Sequence, residues 1–292
     1  MFSIIDVVLP TFIVILIGYL VGKFTKFNML TVTDITLYIG VPALAFTSLI
    51  SKKIVLLDAA KICGSSFIIS LGCLLVAWIV FKIIRQKHSG LYVPISIMNT
   101  VNIPFPIIYL AYGAEGLAAA TLFYIPNIIL IYTLGIFLMA GKNWKDNIRE
   151  IVRQPVVYAC IVGLICNFFN VKIPELALTT LDLIALMTIP LVLLILGYNL
   201  SRVNLTSLPT TFLASFLRMG VGLGIGFAVV YLLNISGVFR SVVILDSTMP
   251  AAAMTSILAT KYKNETGLVS SVVLLTTLVS LVLIPFLLHI LG

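Results

Sequence analysis

Long apolar runs separated by short polar stretches dominate this chain. They fall near residues 4–22, 32–50, 60–84, 92–111 and 116–140, then 155–170, 176–200, 209–233, 239–260 and 267–290. A helix rising about 1.5 Å per residue needs about 20 mainly apolar residues to cross a bilayer core. The pattern therefore predicts an all-α membrane protein with about ten transmembrane helices. The sixth run is short and the fourth is interrupted, so nine spans is the alternative count. The longest polar stretch, 141–154, reads as a connector or surface helix between two halves, 1–140 and 155–292.

Composition agrees with this reading and removes several others. Of the 292 residues, 61% are apolar and 10% charged, against roughly 25% charged in soluble domains. Such a chain cannot cover a water-facing surface. The formal charge of +8 is scattered over short loops, which argues against nucleic acid as a partner. Counted by side across ten spans, twelve Lys and Arg fall on one face and five on the other, with Arg218 left inside a span. The basic face is expected to be cytoplasmic, which places both termini outside the cell membrane. Asp6 and the lack of basic residues ahead of the first run predict no cleaved signal peptide.

Enzyme chemistry finds no support. Cys63, Cys73, Cys160 and Cys166 sit singly in apolar runs, and His88 and His289 cannot build a metal site between them. There is no Ser/His/Asp set and no phosphate-cradling loop, so neither a catalytic residue, a metal nor a cofactor is expected. A receptor or scaffold would need a soluble sensing or output region, and no loop is long enough.

The two halves repeat. Pro10 corresponds to Pro155, Asp34 and Pro42 to Asp182 and Pro190, Glu115 and Gly116 to Glu265 and Gly267, and Pro104 or Pro106 to Pro250. All these offsets lie between 144 and 151 residues, in preserved order. Five spans per half is an odd number, so the second half would enter the membrane inverted, a plan found in many secondary transporters.

The fourth and ninth runs are broken near mid-membrane depth. The fourth reads Met98-Asn99-Thr100-Val101-Asn102-Ile103-Pro104-Phe105-Pro106, and the ninth Asp246-Ser247-Thr248-Met249-Pro250-Ala251-Ala252-Ala253-Met254-Thr255. Proline removes an amide donor and clashes with the preceding turn. Irregular backbone at that depth is tolerated only inside protein or beside a wet cavity. The half-helix after each break aims its positive N-terminal end at it, which suits an anion. The candidate substrate-binding residues are Asn99, Asn102, Pro104, Pro106, Asp246, Met249, Pro250 and Thr255. Asp246 and Arg218, ionisable groups within spans, are candidates for proton coupling or for a structural charge pair. Asp34 and Asp182 read as helix caps, Glu115 and Glu265 as interfacial acids at helix starts. Gly18, Gly22 and the alternating Gly220, Gly222, Gly224 and Gly226 read as helix-packing positions.

These motifs resemble the auxin efflux carrier family in its short bacterial form. Asn99 followed seven residues later by Pro106 is similar to that family's fourth-helix pattern, and Asp246 ahead of Met249-Pro250-Ala251 to its ninth. Val41-Pro42-Ala43-Leu44 and Ile189-Pro190-Leu191, with Leu196-Gly197-Tyr198-Asn199-Leu200-Ser201, resemble its second and seventh helices. Two positions depart from the pattern. Val101 and Pro104 stand where glycines are usual, and Ala253, Met254 and Thr255 stand where an asparagine is common. The resemblance implies two inverted five-helix repeats with crossing broken helices 4 and 9, and export of a small organic anion such as a carboxylate by rocking or elevator motion. It also implies a homodimer. The bile acid:sodium symporter family shares the plan, but its glycine- and carboxylate-rich fourth-helix pattern is absent here, so sodium coupling is the lesser alternative.

Overall fold

The computed structural model describes residues 4–140, 151–203 and 205–291. Among them the regular structure is helical, apart from one isolated antiparallel bridge between Met98 and Ala251. The helices are α1 (Ile4–Phe24), α2 (Met29–Ile50), α3 (Leu56–Ile83), α4 (Tyr92–Ser96) and α5 (Pro104–Met139). They continue as α6 (Pro155–Phe168), α7 (Glu175–Leu200), α8 (Leu208–Leu232), α9 (Gly237–Ser247), α10 (Ala253–Tyr262) and α11 (Thr266–Leu291). Six of them, α2, α3, α5, α7, α8 and α11, are long and apolar enough to cross a membrane, and Val8–Phe24 and Pro155–Phe168 are shorter apolar stretches. Most of the expected connector, 141–150, lies outside the described residues.

The fourth and ninth apolar runs are each divided. The fourth becomes α4 and the first arm of α5, and the ninth becomes α9 and α10. A second break separates the two arms of α5 at Gly113, where φ is 64° and ψ is −153°. Only glycine takes that conformation without strain. It lets the half-helix that begins at Pro104 turn into the fifth apolar run.

The core is apolar but takes in many polar groups, and the outer surface carries far more apolar side chains than a soluble protein's would. Ser65, Ser70, Thr121, Thr188, Thr211, Arg218, Asp246 and Ser280 are buried, while Leu16, Trp78, Leu183, Phe216, Tyr231 and Val282 are exposed. An apolar surface this extensive is stable only against lipid. Close contacts rest on small residues. A Cβ on Gly18 would strike the Leu194 backbone, and one on Gly197 the Ile15 carbonyl, so α1 lies tight along α7. Gly163 of α6 packs on Leu49 of α2, while α3 packs on α8 and on α5. In α8 only alternate glycines of the expected packing stripe serve it. Gly222 and Gly226 face Ser247 of α9, whereas Gly224 faces open space and Gly220 meets Phe216 of its own helix.

Loop contacts join the chain ends of different helices. Asn167, in the last turn of α6, donates to the Leu49 and Lys52 carbonyls at 2.7 and 2.6 Å and accepts from the Ile54 amide at 3.0 Å. Lys52 pairs with Glu115 at 2.7 Å. At other helix ends, Tyr198 donates to the Phe27 carbonyl, Arg202 to the Thr25 carbonyl, and Asn264 to the Met139 carbonyl. Glu265 accepts from the Gly90 amide at 2.8 Å and meets His88 at 2.6 Å. Glu115 and Glu265 thus stand near helix starts, as expected. Asp34 and Asp182 do not cap: α2 begins at Met29 behind Asn28, whose side chain accepts from the Leu30 amide, and α7 begins at Glu175. Both carboxylates lie several residues inside their helices, because polar residues near an interface join a helix as readily as they cap it.

Candidate functional site

α4 and α9 end, and α5 and α10 begin, around one point. The extended segments between them cross, and each supplies what unwinding removed from the other. The Asn99 amide donates to the Pro250 carbonyl at 2.7 Å, and the Ala252 amide to the Ile97 carbonyl at 3.1 Å. In hydrocarbon an unpaired peptide group costs several kcal/mol, so this exchange is what allows two helices to open at one depth.

Each break has a further support. The Asn99 Oδ1 accepts from the Asn102 amide at 2.9 Å and the Val101 amide at 3.4 Å. In the other break the Ala251 amide donates to Thr276 Oγ1 of α11 at 3.2 Å. Pro104 and Pro106 sit in the first turn of α5, where a missing N–H is cheapest. Phe105 and Ile107, between and after them, donate to the carbonyls of Val101 and Ile103. That N-terminus therefore offers few free amides, contrary to the expectation of two equivalent anion-attracting ends. α10 differs. It opens with Ala253 and Met254, whose amides precede the first turn's acceptors. Thr255 is turned to capping, its amide and hydroxyl both donating to the Ala252 carbonyl.

Arg218 holds the opposite ends. It is fully buried. Its Nη1 donates to the Ile95 and Ser96 carbonyls at 3.0 and 3.5 Å, and its Nη2 to the Ser247 carbonyl at 2.8 Å. Those carbonyls are the C-terminal ends of α4 and α9, where two negative helix poles converge and a cation is favourable. The structural pair of Arg218 with Asp246 is thus not formed. Ion pairs among the described residues are Lys52–Glu115 and His88–Glu265, and both carboxylate oxygens of the fully buried Asp246 lack a hydrogen-bond partner.

A cavity of about 100 Å³ opens beside the crossing. Residues 98–102 of the first break, Ala252, Ala253 and Met254 of the second, and Tyr124, Asn127, Ile128, Ile131 and Tyr132 of α5 line it, with Leu37, Gln154 and Val156. The lining carries no ionisable acid or base apart from the two tyrosines. The Nδ2 groups of Asn99 and Asn127 are both buried without a partner. A cavity with spare amide donors and an open helix N-terminus suits a ligand rich in acceptors.

Of the residues singled out from sequence, Asn99 and Asn102 line this cavity. Pro104, Pro106, Met249, Pro250, Asp246 and Thr255 stand outside its lining and shape the breaks instead. Asn127, Gln154, Tyr124 and Tyr132 were not anticipated. Asn127 had a readable signal, an amide directly after Pro126 inside an apolar run, which is the same combination that marks the fourth run. No three His, Cys, Asp or Glu among the described residues gather as metal ligands.

Similarity to known proteins agrees with this architecture. The family model described as "Membrane transport protein" matches residues 3–151 and 143–288. An uncharacterized transporter of Methanocaldococcus jannaschii is 29% identical over 296 residues, covering 96% of each chain. One of Methanothermobacter thermautotrophicus is 27% identical over 295 residues with the same coverage. The uncharacterized transporter YfdV of Escherichia coli K12 is 25% identical over 197 residues, 61% of this chain and 62% of that one. The chain is a membrane transporter and not an enzyme, and it belongs to the membrane transport protein family of the auxin efflux carrier type.

Proposed function

We propose that this protein is a secondary carrier of small organic anions such as carboxylates, binding them at the helix crossing and alternating access around it. The observation that carries the reading is the crossing cavity. Two unpartnered side-chain amides, Asn99 and Asn127, and the opening turn of α10 converge on it, and no acidic side chain lines it. Bound carboxylate oxygens would take up these donors, and a charge held by dipoles rather than by a fixed cation can leave again.

The packing supports two inverted five-helix repeats with ten crossings, counting α4 with the first arm of α5, and α9 with α10, as one broken crossing each. α1 packs on α7, and α6 packs on α2. Exchanging the first five runs for the last five turns one contact into the other. The loop contacts support the same count. Each joins loops that ten crossings place on one face, as Asn167 does with Lys52 and Asn264 with Met139. With the more basic face cytoplasmic, the Asn167 side is extracytoplasmic.

Asp246, buried one turn before Pro250 with no donor on either oxygen, is the candidate proton carrier. Its negative charge near the anion would oppose binding, and protonation would relieve that repulsion.

Asn99 separates binding from folding. Asn99→Asp keeps the Oδ acceptor that supports the Asn102 amide but loses the spare donor and adds a charge. In proteoliposomes loaded with labelled carboxylates, Asn99→Asp is expected to abolish exchange while the purified protein keeps its melting temperature within a few degrees. Undiminished exchange by this variant would remove the crossing cavity as the site.

A further inference from the structure

Two larger cavities lie toward opposite loop ends of the helices, and one of them shares a wall with the crossing cavity. One, of about 550 Å³, lies between the end of α7, α10 and the start of α11, and Asn199, Arg202, Ala253, Ser256 and Lys261 are among its walls. The other, of about 320 Å³, lies between the end of α2, the two arms of α5 and the first half of α7, with Ser51, Tyr109, Ala114 and Asp182 among its walls. They correspond through the repeat: the ends of the second and seventh runs, the second arms of the broken runs, and the starts of the fifth and tenth. Ala253 belongs both to the first of these cavities and to the crossing cavity.

Their chemistry differs in sign. The walls of the α10 cavity include two cations and no acid, and the Ser256 hydroxyl in it is buried and unpartnered. The walls of the α2 cavity include one acid, Asp182, and no base. In a narrow mouth with low-dielectric walls, one sign of charge concentrates the opposite ion and raises its on-rate by about 10- to 1,000-fold.

We propose that these cavities are the two mouths of the carrier, and that the Arg202–Lys261 mouth is where anions load. The assignment rests on the anion-carrier reading and deepens it by naming the specificity residues of one side. Arg202 and Lys261 gather anions outside the crossing, and Ala253 at the head of α10 passes them to the Asn99 cavity. Asp182 discourages anions from loading at the opposite mouth. The asymmetry is kinetic. Ion and substrate gradients still set the net direction, but the half-saturating anion concentration differs between faces. Arg202 is held in place by the Thr25 carbonyl at 3.0 Å and by stacking on Tyr198, so its charge is fixed at the rim.

The test reads the mouths without needing the natural substrate. Ser256→Cys and Ser51→Cys, each in the reconstituted full chain, are treated with an anionic sulfonatoethyl and a cationic trimethylammonioethyl methanethiosulfonate. Labelling of the parent protein's own cysteines is subtracted, and rates are normalised to a free thiol. Ser256→Cys should favour the anionic reagent about tenfold, a preference that falls at 1 M salt and on changing Arg202 and Lys261 to Gln. Ser51→Cys should favour the cationic reagent and lose that preference with Asp182→Asn. Thr260→Cys, on the same wall as Ser256, replaces it if that variant misfolds. Equal preferences at the two positions, no response to the charge changes, or a thiol closed to both reagents would overturn the proposal. Opposite preferences in a protein that exchanges no carboxylate would leave the mouths standing and sink the carrier reading instead.

Discussion

The two breaks that cross at the centre solve one problem by different means. Residues 97–103 contain their own support, since the Asn99 side chain accepts from two local amides while its backbone binds Pro250. Residues 248–252 have no such side chain among their alanines and borrow Thr276 from α11. The first break closes the helix start behind it, with two prolines and two engaged amides. The second leaves the start of α10 open. One break therefore contributes a side-chain donor to the cavity and the other contributes backbone donors. The two breaks thus build an asymmetric cavity, and on the proposed reading that asymmetry would let it hold an anion without a cation.

The Arg218 side chain binds the helix ends at both breaks, so its change should have the largest effect. Arg218→Gln leaves up to three buried carbonyls without their charged donor. Loss of about 3 kcal/mol or more is expected, read as a fall in melting temperature in nanodiscs, with Arg218→Lys recovering part of it. A stable Arg218→Gln protein would mean that the breaks hold each other without the clamp.

Asp246 is peculiar to the second break, since residues 97–103 of the first hold no acid. Asp246→Asn mimics the protonated carboxyl at similar volume. Exchange of anion for anion should persist, while uptake driven by a pH gradient should fall at least tenfold. Because Arg218 is engaged with carbonyls and not with this carboxylate, stability should change little. Unaltered pH dependence in this variant would remove the coupling role. A marked loss of stability would restore the charge-pair reading.

Thr276→Val tests the borrowed support. It strands the Ala251 amide in a buried position, at an expected cost of about 1–3 kcal/mol, and should leave anion affinity alone, since Thr276 is outside the cavity lining. The smallest effect is expected at Asn127, which donates to the cavity and supports neither break. Asn127→Ala should raise the half-saturating anion concentration about three- to tenfold, the worth of one net hydrogen bond, without lowering the melting temperature. A stability loss matching that of Thr276→Val would mark Asn127 as part of the scaffold.

Much of this plan is legible in the chain itself. The long apolar runs foretell the six helices long and apolar enough to cross a membrane, because hydrocarbon imposes a length and a composition on every crossing segment. The fourth and ninth runs declare their breaks through Pro104, Pro106 and Pro250, and Asn99 is recognisable as an amide placed where backbone groups lose partners. Asn127 was readable by the same rule and was obscured by the frequency with which prolines such as Pro126 sit inside membrane helices.

Other features depend on residues far apart in the chain. Arg218 reads from sequence as a partner for the nearest buried acid, Asp246. Its actual partners are carbonyls of Ile95, Ser96 and Ser247, groups that every residue has and that become acceptors only where helices end. The exchange between Asn99 and Pro250, and between Ala252 and Ile97, is equally invisible, since a backbone amide carries no sequence signature. Hydrophobic pattern, proline and amide placement by themselves determined the helical, membrane-embedded class and the location of the breaks, because those follow from local transfer and conformational energies. Which donors are left over to meet a ligand was decided only when the segments crossed, because hydrogen-bond satisfaction depends on the neighbours that tertiary structure supplies.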